Sequence, residues 1–298
     1  MREIDFIGRS RLWYIVSATL VIVSLIALVG QGIATGQALN LGIDFTGGSI
    51  YDLEFDQVVA PAEVRAILAN IDLEKSVIRV SPADPKQAFL KTEFLDDDQE
   101  ARMFSALKAG VGEFEQLRSE RVDAVIGSEL LLNALIALIV AGIAMVAYIT
   151  WRFEYRFAIA AIVALLHDSI ITLGVFSILG VEITSAFVAA ILTIIGYSVN
   201  DTIVIFDRIR ENLKGTKRGN EGGVVNRSLN ETLVRSINTS VTTFLAVSAI
   251  FIFGGATIKD FALALLVGVL LGTYSSIFVA SPLWVSWRNY SHEKAVAR

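Results

Sequence analysis

Six long apolar runs dominate the chain, near residues 12–30, 130–150, 157–179, 183–205, 237–253 and 261–285. A helix needs about 20 such residues to cross a bilayer, so the pattern predicts six transmembrane helices. The first run follows Arg9 and Arg11 as a signal peptide would. Its apolar core is long and five more spans come after it, so it reads as a retained anchor. Between the first two runs the rhythm changes. Residues 31–128 form a polar stretch too long for a simple loop. Positions 49–56 alternate like a half-buried strand, and 77–80, 87–94 and 114–125 read as three more. In the third of these, Ala88, Leu90, Thr92 and Phe94 share one face. Pro61 opens a segment with Val64, Ile67, Leu68 and Ile71 at helical spacing. Asp96–Gln99 caps a second helix through Gly110, with Met103, Leu107 and Val111 on one side. The order β-α-β-β-α-β is that of the ferredoxin-like split motif. The expected organisation is therefore a first span within 1–30, an α+β domain over 31–128, and a five-helix membrane domain over 129–298. That last part includes a basic loop at 207–236 and a short terminal tail.

Composition sharpens this reading. The chain is 54% hydrophobic and only 18% charged, with a mean hydropathy of +0.61, which is the profile of a polytopic membrane protein. It has no cysteine, which excludes disulfides and thiolate metal sites. Its two histidines, His167 and His292, are too few for a histidine-rich metal centre. Residues 31–128 carry 17 of the 30 acidic and 9 of the 25 basic residues, a local net charge of −8. The remaining basic residues alternate from loop to loop. Arg2, Arg9 and Arg11 precede the first span, and Arg152 and Arg156 separate the second from the third. Arg208, Arg210, Lys214, Lys217, Arg218 and Arg227 separate the fourth from the fifth, and Arg288, Lys294 and Arg298 follow the sixth. The other short loops hold only Glu182, and Lys259 with Asp260. By the positive-inside rule both termini are expected in the cytoplasm, and 31–128 outside the inner membrane. No GxxxxGK[ST] motif occurs, so ATP is not the expected energy source, and no nucleic-acid partner is expected.

The candidate chemistry lies inside the spans. The fourth contains Gly196-Tyr-Ser-Val-Asn-Asp201, with Asn200 and Asp201 set in apolar sequence, about six residues or ~9 Å from its basic end. An ionised Asp there costs several kcal/mol unless it is partnered, hydrated or protonated. The third holds His167-Asp168 about ten residues, or ~15 Å, from its basic end. The fifth begins Arg235-Ser-Ile-Asn-Thr-Ser240, with Arg235 and Thr239 one turn apart on the same face. The fourth and fifth spans run in opposite directions, so Asp201 and Arg235 are expected at similar depths. An Asp–Arg pair that opens on protonation and closes on deprotonation is a simple relay. Each residue also has a plainer interpretation. Asp201 is alternatively a hydrogen-bonding group between helices, Arg235 a side chain snorkelling to headgroups, and His167-Asp168 a packing pair. Thr239, Ser240, Thr242 and Thr243, and the small pair Gly268 and Gly272, suit close helix packing. Next to the first span stands Gly42-Ile-Asp-Phe-Thr-Gly-Gly48. A turn using positive φ at Gly47 and Gly48 explains its glycines but not Asp44 and Phe45. On the basic link, Asn226 is a candidate cap for a short amphipathic helix carrying Leu229, Leu233 and Ile237.

These motifs resemble a known family. Gly42 to Gly48, the run from Gly196 through Asp207-Arg-Ile-Arg-Glu-Asn212, Arg235 to Ser240, and Gly272-Thr-Tyr-Ser-Ser-Ile-Phe-Val-Ala-Ser-Pro282 are similar to signatures of the SecD/SecF protein-export family, SecF group, in the resistance-nodulation-division (RND) superfamily. The resemblance covers essentially the whole chain. It implies half of a twelve-helix unit completed by SecD, beside the SecYEG channel and often with YajC. It also implies use of the proton-motive force to help pull a translocating preprotein out on the far side. The residues themselves leave Na⁺ open as the coupling ion, since Asp, Asn, Ser and Thr serve either, and membrane lipid surrounds the spans. The resemblance places the proton pathway at Asp201, Arg235 and Thr239; the residues themselves add Asn200 and Ser198 beside Asp201, and His167 and Asp168 as relay candidates. No other cofactor and no metal is implied.

Three alternatives remain open at this point. An RND-type half-transporter for lipid or small solute calls for a larger outer domain than 31–128 supplies. A non-conducting scaffold would make Asp201 dispensable. An intramembrane serine protease would pair Ser198 with His167, and leaves Asn200 and Asp201 without a role.

Overall fold

The computed structural model describes residues 4–81, 84–214 and 220–296. The basic residues Arg2, Lys217, Arg218 and Arg298 lie outside the described residues. The chain divides into two compact units, Leu41–Leu135 and the remainder on either side of it.

The smaller unit is α+β. A single helical turn, α2 (Ile43–Thr46), leads into β1 (Gly48–Phe55), α3 (Pro61–Ala69), β2 (Val77–Val80), β3 (Gln87–Thr92), α4 (Asp97–Gly110) and β4 (Phe114–Val122). All pairings are antiparallel and the sheet order is β2-β3-β1-β4, so the expected βαββαβ order forms the expected ferredoxin-like sheet. Period-two alternation turns Tyr51, Leu53 and Phe55 of β1 and Ala88 and Leu90 of β3 inward, where they meet Val64 and Leu68 of α3 and Met103 and Leu107 of α4. Pro61 sits in the first turn of α3, and Asp96 with Gln99 forms a reciprocal capping box on α4. The third strand ends at Thr92 rather than at Phe94, whose ring is exposed.

Gly47 and Gly48 have φ of 71° and 130°, as a turn requires. They do more than turn. A Cβ on Gly47 would stand 2.6 Å from Ala124 Cα, and one on Gly127 would stand 2.8 Å from Gly47 N. The glycines therefore let the α2 turn seat directly on the start of the next helix, which begins at Ala124 inside the segment expected to be strand. Phe45 and Ile43 are buried beneath that turn, and Asp44 lies within electrostatic reach of Arg118 on β4.

The other unit is helical. Among the described residues six helices are long and apolar enough to cross a membrane: α1 (Ser10–Thr35), α5 (Ala124–Arg152), α6 (Tyr155–Leu179), α7 (Ser185–Leu213), α8 (Glu221–Phe253), and a last stretch over Thr257–Asn289. That last span is α9 (Ala256–Ser275), a π-helical turn at Ser276–Ala280, and α10 (Ser281–Val296). Helices α6, α7 and the last span form the packed centre, whereas no residue in the most apolar window of α5 is buried. Glycines set the close approaches, as Gly268 and Gly272 led one to expect. A Cβ on Gly268 would strike the Ile194 side chain at 2.2 Å, one on Gly272 would reach Ser198 at 3.0 Å, and one on Gly174 would meet Ser24 of α1 at 2.2 Å. At the basic end, Phe157 stacks on the fully buried Trp284 and packs at a tilt against Phe206, 4.6 Å from each ring.

The link at 207–236 is largely helix rather than loop. Helix α7 runs on to Leu213 and α8 starts at Glu221. Asn226 does not cap a helix but lies within α8. It accepts the Phe6 N–H at 2.7 Å, while Asn230 exchanges hydrogen bonds of 2.9 Å with the Ile4 backbone. Two asparagines one turn apart thus hold the N-terminal segment along α8.

Candidate functional site

Helix α7 directs Ser198, Asp201, Thr202 and Ile205 into the bundle, the spacing of one buried stripe. Asn200, between them in sequence, falls on the exposed side. On α8 the inward stripe is Leu229, Thr232, Ser236 and Ser240, which leaves Arg235 and Thr239 exposed. Helix α6 contributes His167 and Asp168, both buried.

Two separate carboxylate sites result. At the first, Ser236 Oγ donates to Asp201 Oδ1 over 2.7 Å, and Asp201 Oδ2 is buried with no hydrogen-bond partner among the described residues. The expected Asp201–Arg235 pair is not formed. Arg235 and Ser236 are adjacent on α8 and so point about 100° apart, and it is the serine that faces α7. The Thr239 hydroxyl donates to its own helix, to Arg235 O at 2.9 Å. Nearby, Tyr197 donates to Ser240 across the same helix pair.

At the second site Asp168 is 1% exposed and gathers side chains from three helices. His167 Nδ1 lies 2.9 Å from Oδ1, while Ser198 of α7 and Ser275 of α9 donate to Oδ2 at 3.1 and 2.7 Å. Beside it Thr202 and Ser276 join hydroxyls at 2.7 Å, where the π-helical turn begins. Such turns inside helices recur at functional sites. The His167 ring stacks at 6.0 Å on Tyr274, whose hydroxyl meets Ser17 of α1 at 3.0 Å. Ser198 is thus bonded to the carboxylate and not to His167. The serine–histidine dyad that a protease would need is not assembled.

Sequence reasoning located Asp201, Asp168, His167 and Ser198 among the buried groups and missed Ser236, Ser275, Ser276 and Thr202. The signal for Ser236 was present in the Leu229, Thr232, Ser236, Ser240 spacing, which is the buried face of α8.

Six apolar helices with carboxylates buried in their packed interior, joined to a small α+β domain, define a multi-pass membrane protein. Residues 103–290 match the family described as protein export membrane protein SecD/SecF, C-terminal, and residues 33–57 match the SecD/SecF GG motif. The chain is similar to the protein translocase subunit SecF of Desulfurispirillum indicum, 44% identical over 92% of this chain and 88% of that one. It is likewise 43% identical to the SecF subunit of Acidaminococcus fermentans, over 97% of this chain and 98% of the relative. The crystal structure of SecDF, a translocon-associated membrane protein from Thermus thermophilus, superposes with a TM-score of 0.84 at 38% identity. That match covers 96% of this chain but only 39% of the longer SecDF chain. The chain belongs to the SecD/SecF family of protein-export membrane proteins, with the SecF subunits.

Proposed function

We propose that this chain assists protein export across the bacterial inner membrane as the smaller partner of a SecD-type subunit, and that ions crossing through Asp201 supply the work. The observation that carries the reading is the Asp201 carboxylate. It is buried within a membrane span, one oxygen is held by Ser236, and the other has no donor among the described residues. An ionised carboxylate so placed costs several kcal/mol, a cost removed when a proton binds to the open oxygen. Loading and unloading that oxygen changes what holds α7 to α8, and a rigid shift of the helices is the natural consequence. One proton falling through 100 mV yields about 2.3 kcal/mol, so a working stroke uses more than one proton or a pH gradient as well.

The exposed polar face supports the partner. Asn200 on α7 and Arg235 and Thr239 on α8 lie on the outside of this bundle, on helices long enough to span lipid. Intramembrane polar groups face protein or water, so this face is where a SecD helix would pack, completing a twelve-helix unit and bringing Arg235 and Thr239 into the pathway. Basic residues between α5 and α6 and between α7 and α8 in the sequence favour cytoplasmic termini and an outer α+β domain. On this reading the complex works beside SecYEG, with YajC, on the emerging preprotein, and without enzymatic chemistry of its own.

The test is translocation of a secretory preprotein into inverted vesicles holding this chain with SecD. A stimulation removed by a proton ionophore and indifferent to a sodium ionophore supports the proton reading. The opposite pattern reassigns the ion to Na⁺, and no gradient-dependent stimulation contradicts the motor role.

A further inference from the structure

Beyond this reading, the basic end of the helical unit carries a cavity of about 480 Å³ that neither carboxylate site uses. It lies where the end of α5, the α5–α6 turn, the end of α7 and α10 meet. Its rim holds four cations, Arg152, Arg210, Lys214 and Arg288, against one carboxylate, Glu154. Two of the four are ion-paired, and among the described residues the uncompensated charge is that of the other two. Arg288 stands 3.7 Å from Glu154 and 3.5 Å from Glu221, and Arg152 stands 3.4 Å from Asp207. Arg210 donates to a backbone oxygen, that of Arg152, and Lys214 pairs with no carboxylate among the described residues. Below the cations the wall is apolar, with Phe153 and Phe157 buried.

Its depth identifies the ligand. Arg152 is the last residue of α5, a helix with no buried residue in its most apolar window, so the cavity opens where lipid-facing helix gives way to polar surface. Trp151 is 82% exposed and Tyr155 51% exposed at that level, and Tyr155 meets Trp287 edge-on at 6.4 Å. Exposed Trp and Tyr at the ends of spanning helices mark the headgroup layer of a bilayer. A basic pocket between helices in that layer is built for an anionic headgroup, with its acyl chains along the apolar flank. We propose that this cavity binds the phosphate of an acidic phospholipid, phosphatidylglycerol or a related phosphodiester of net negative charge. A zwitterionic lipid offers the same phosphate but brings an ammonium group against the cations. A free phosphate would gain nothing from the Phe153–Phe157 wall or from Trp151.

The test is retention of lipid by the full chain, reconstituted in phosphatidylcholine with added phosphatidylglycerol and read by native mass spectrometry after release. Wild type is expected to retain phosphatidylglycerol in preference to phosphatidylcholine, and millimolar inorganic phosphate is expected not to displace it. Each cation removed should weaken retention about fivefold, so Lys214→Gln loses that much and Lys214→Gln with Arg210→Gln about 25-fold. Lys214→Arg should restore binding. Lys259→Gln, at the start of α9, should leave it unchanged. Lys214 is exposed and caps the end of α7, so its single substitution reports on binding without disturbing the core. Equal retention of the two lipids, or no loss in the Lys214 and Arg210 variants, overturns the proposal. Displacement by inorganic phosphate overturns it too, because the site would then be one for a small anion.

Discussion

Ser236 Oγ donates to Asp201 Oδ1 over 2.7 Å and so ties α8 to α7 through a buried carboxylate. Because this is the only hydrogen bond that Asp201's carboxylate makes among the described residues, its loss is felt directly. Ser236→Ala should cost about 1–3 kcal/mol in the state that carries the ionised carboxylate, the range for leaving a buried polar group unpaired. The gradient-dependent part of translocation should fall and its pH profile should shift, while Ser236→Thr keeps both near wild type. An unchanged profile in Ser236→Ala would show that the serine does not act on Asp201.

Asp168 is a junction of three helices. Removing its carboxylate strands the Ser198 hydroxyl and His167 in a dry interior, each worth roughly 1–3 kcal/mol when unpaired, and leaves Ser275 only its longer bond of 3.3 Å to Gly272 O. Asp168→Ala should lower the melting temperature of the purified chain well below that of Asp168→Asn, which retains an acceptor. Equal melting of the two variants would mean that the hydrogen bonds do not hold the bundle.

The Gly47 turn makes a sharper claim about geometry. Its φ of 71° alone costs a residue with a side chain about 1–2 kcal/mol, and a Cβ would stand 2.6 Å from Ala124 Cα. Gly47→Ala should therefore speed hydrogen exchange in β1 and in the first turn of α5, with α6 unaffected. Gly36→Ala shares the positive φ but meets nothing within 4 Å, and should be milder.

Burial in the α+β unit pushes the Tyr51 phenol up to about 12. Between pH 10 and 12 the folded chain keeps this proton while the unfolded chain releases it, so Tyr51's contribution to stability is intact below pH 10 and declines above it. Subtracting the alkaline absorbance titration of Tyr51→Phe from that of wild type should leave one phenol ionising near 12. A midpoint near 10 would show the ring to be accessible.

Pattern alone carried the architecture a long way, for a physical reason. A lipid-crossing helix must be apolar over its whole length and a half-buried strand must alternate, so the six spans and the βαββαβ order are written locally. The partners of Asp201 are not. Depth along α7 and α8 can be counted in residues, but rotation of α8 decides whether Arg235 or Ser236 meets the carboxylate. That rotation is set by packing of the Leu229, Thr232, Ser236 and Ser240 stripe. The start of α8 ahead of Asn226, and that asparagine's true role, were illegible for a related cause. Gly222, Gly223, Asn226 and Asn230 look like a link until the N-terminal segment around Ile4 and Phe6 supplies the asparagines' distant partners. Likewise Gly47 announces a turn, but only the fold reveals that Ala124 leaves no room for a side chain.

The most direct test compares wild type with Asp201→Asn, at matched membrane levels and with SecD present, in preprotein translocation into inverted vesicles with and without a proton gradient. Asparagine preserves the size of the side chain and can still accept from Ser236, but it cannot carry a proton. The account predicts that the gradient-dependent increment disappears while the gradient-independent rate remains. An increment that survives intact would contradict it and leave Asp201 a structural link between α7 and α8.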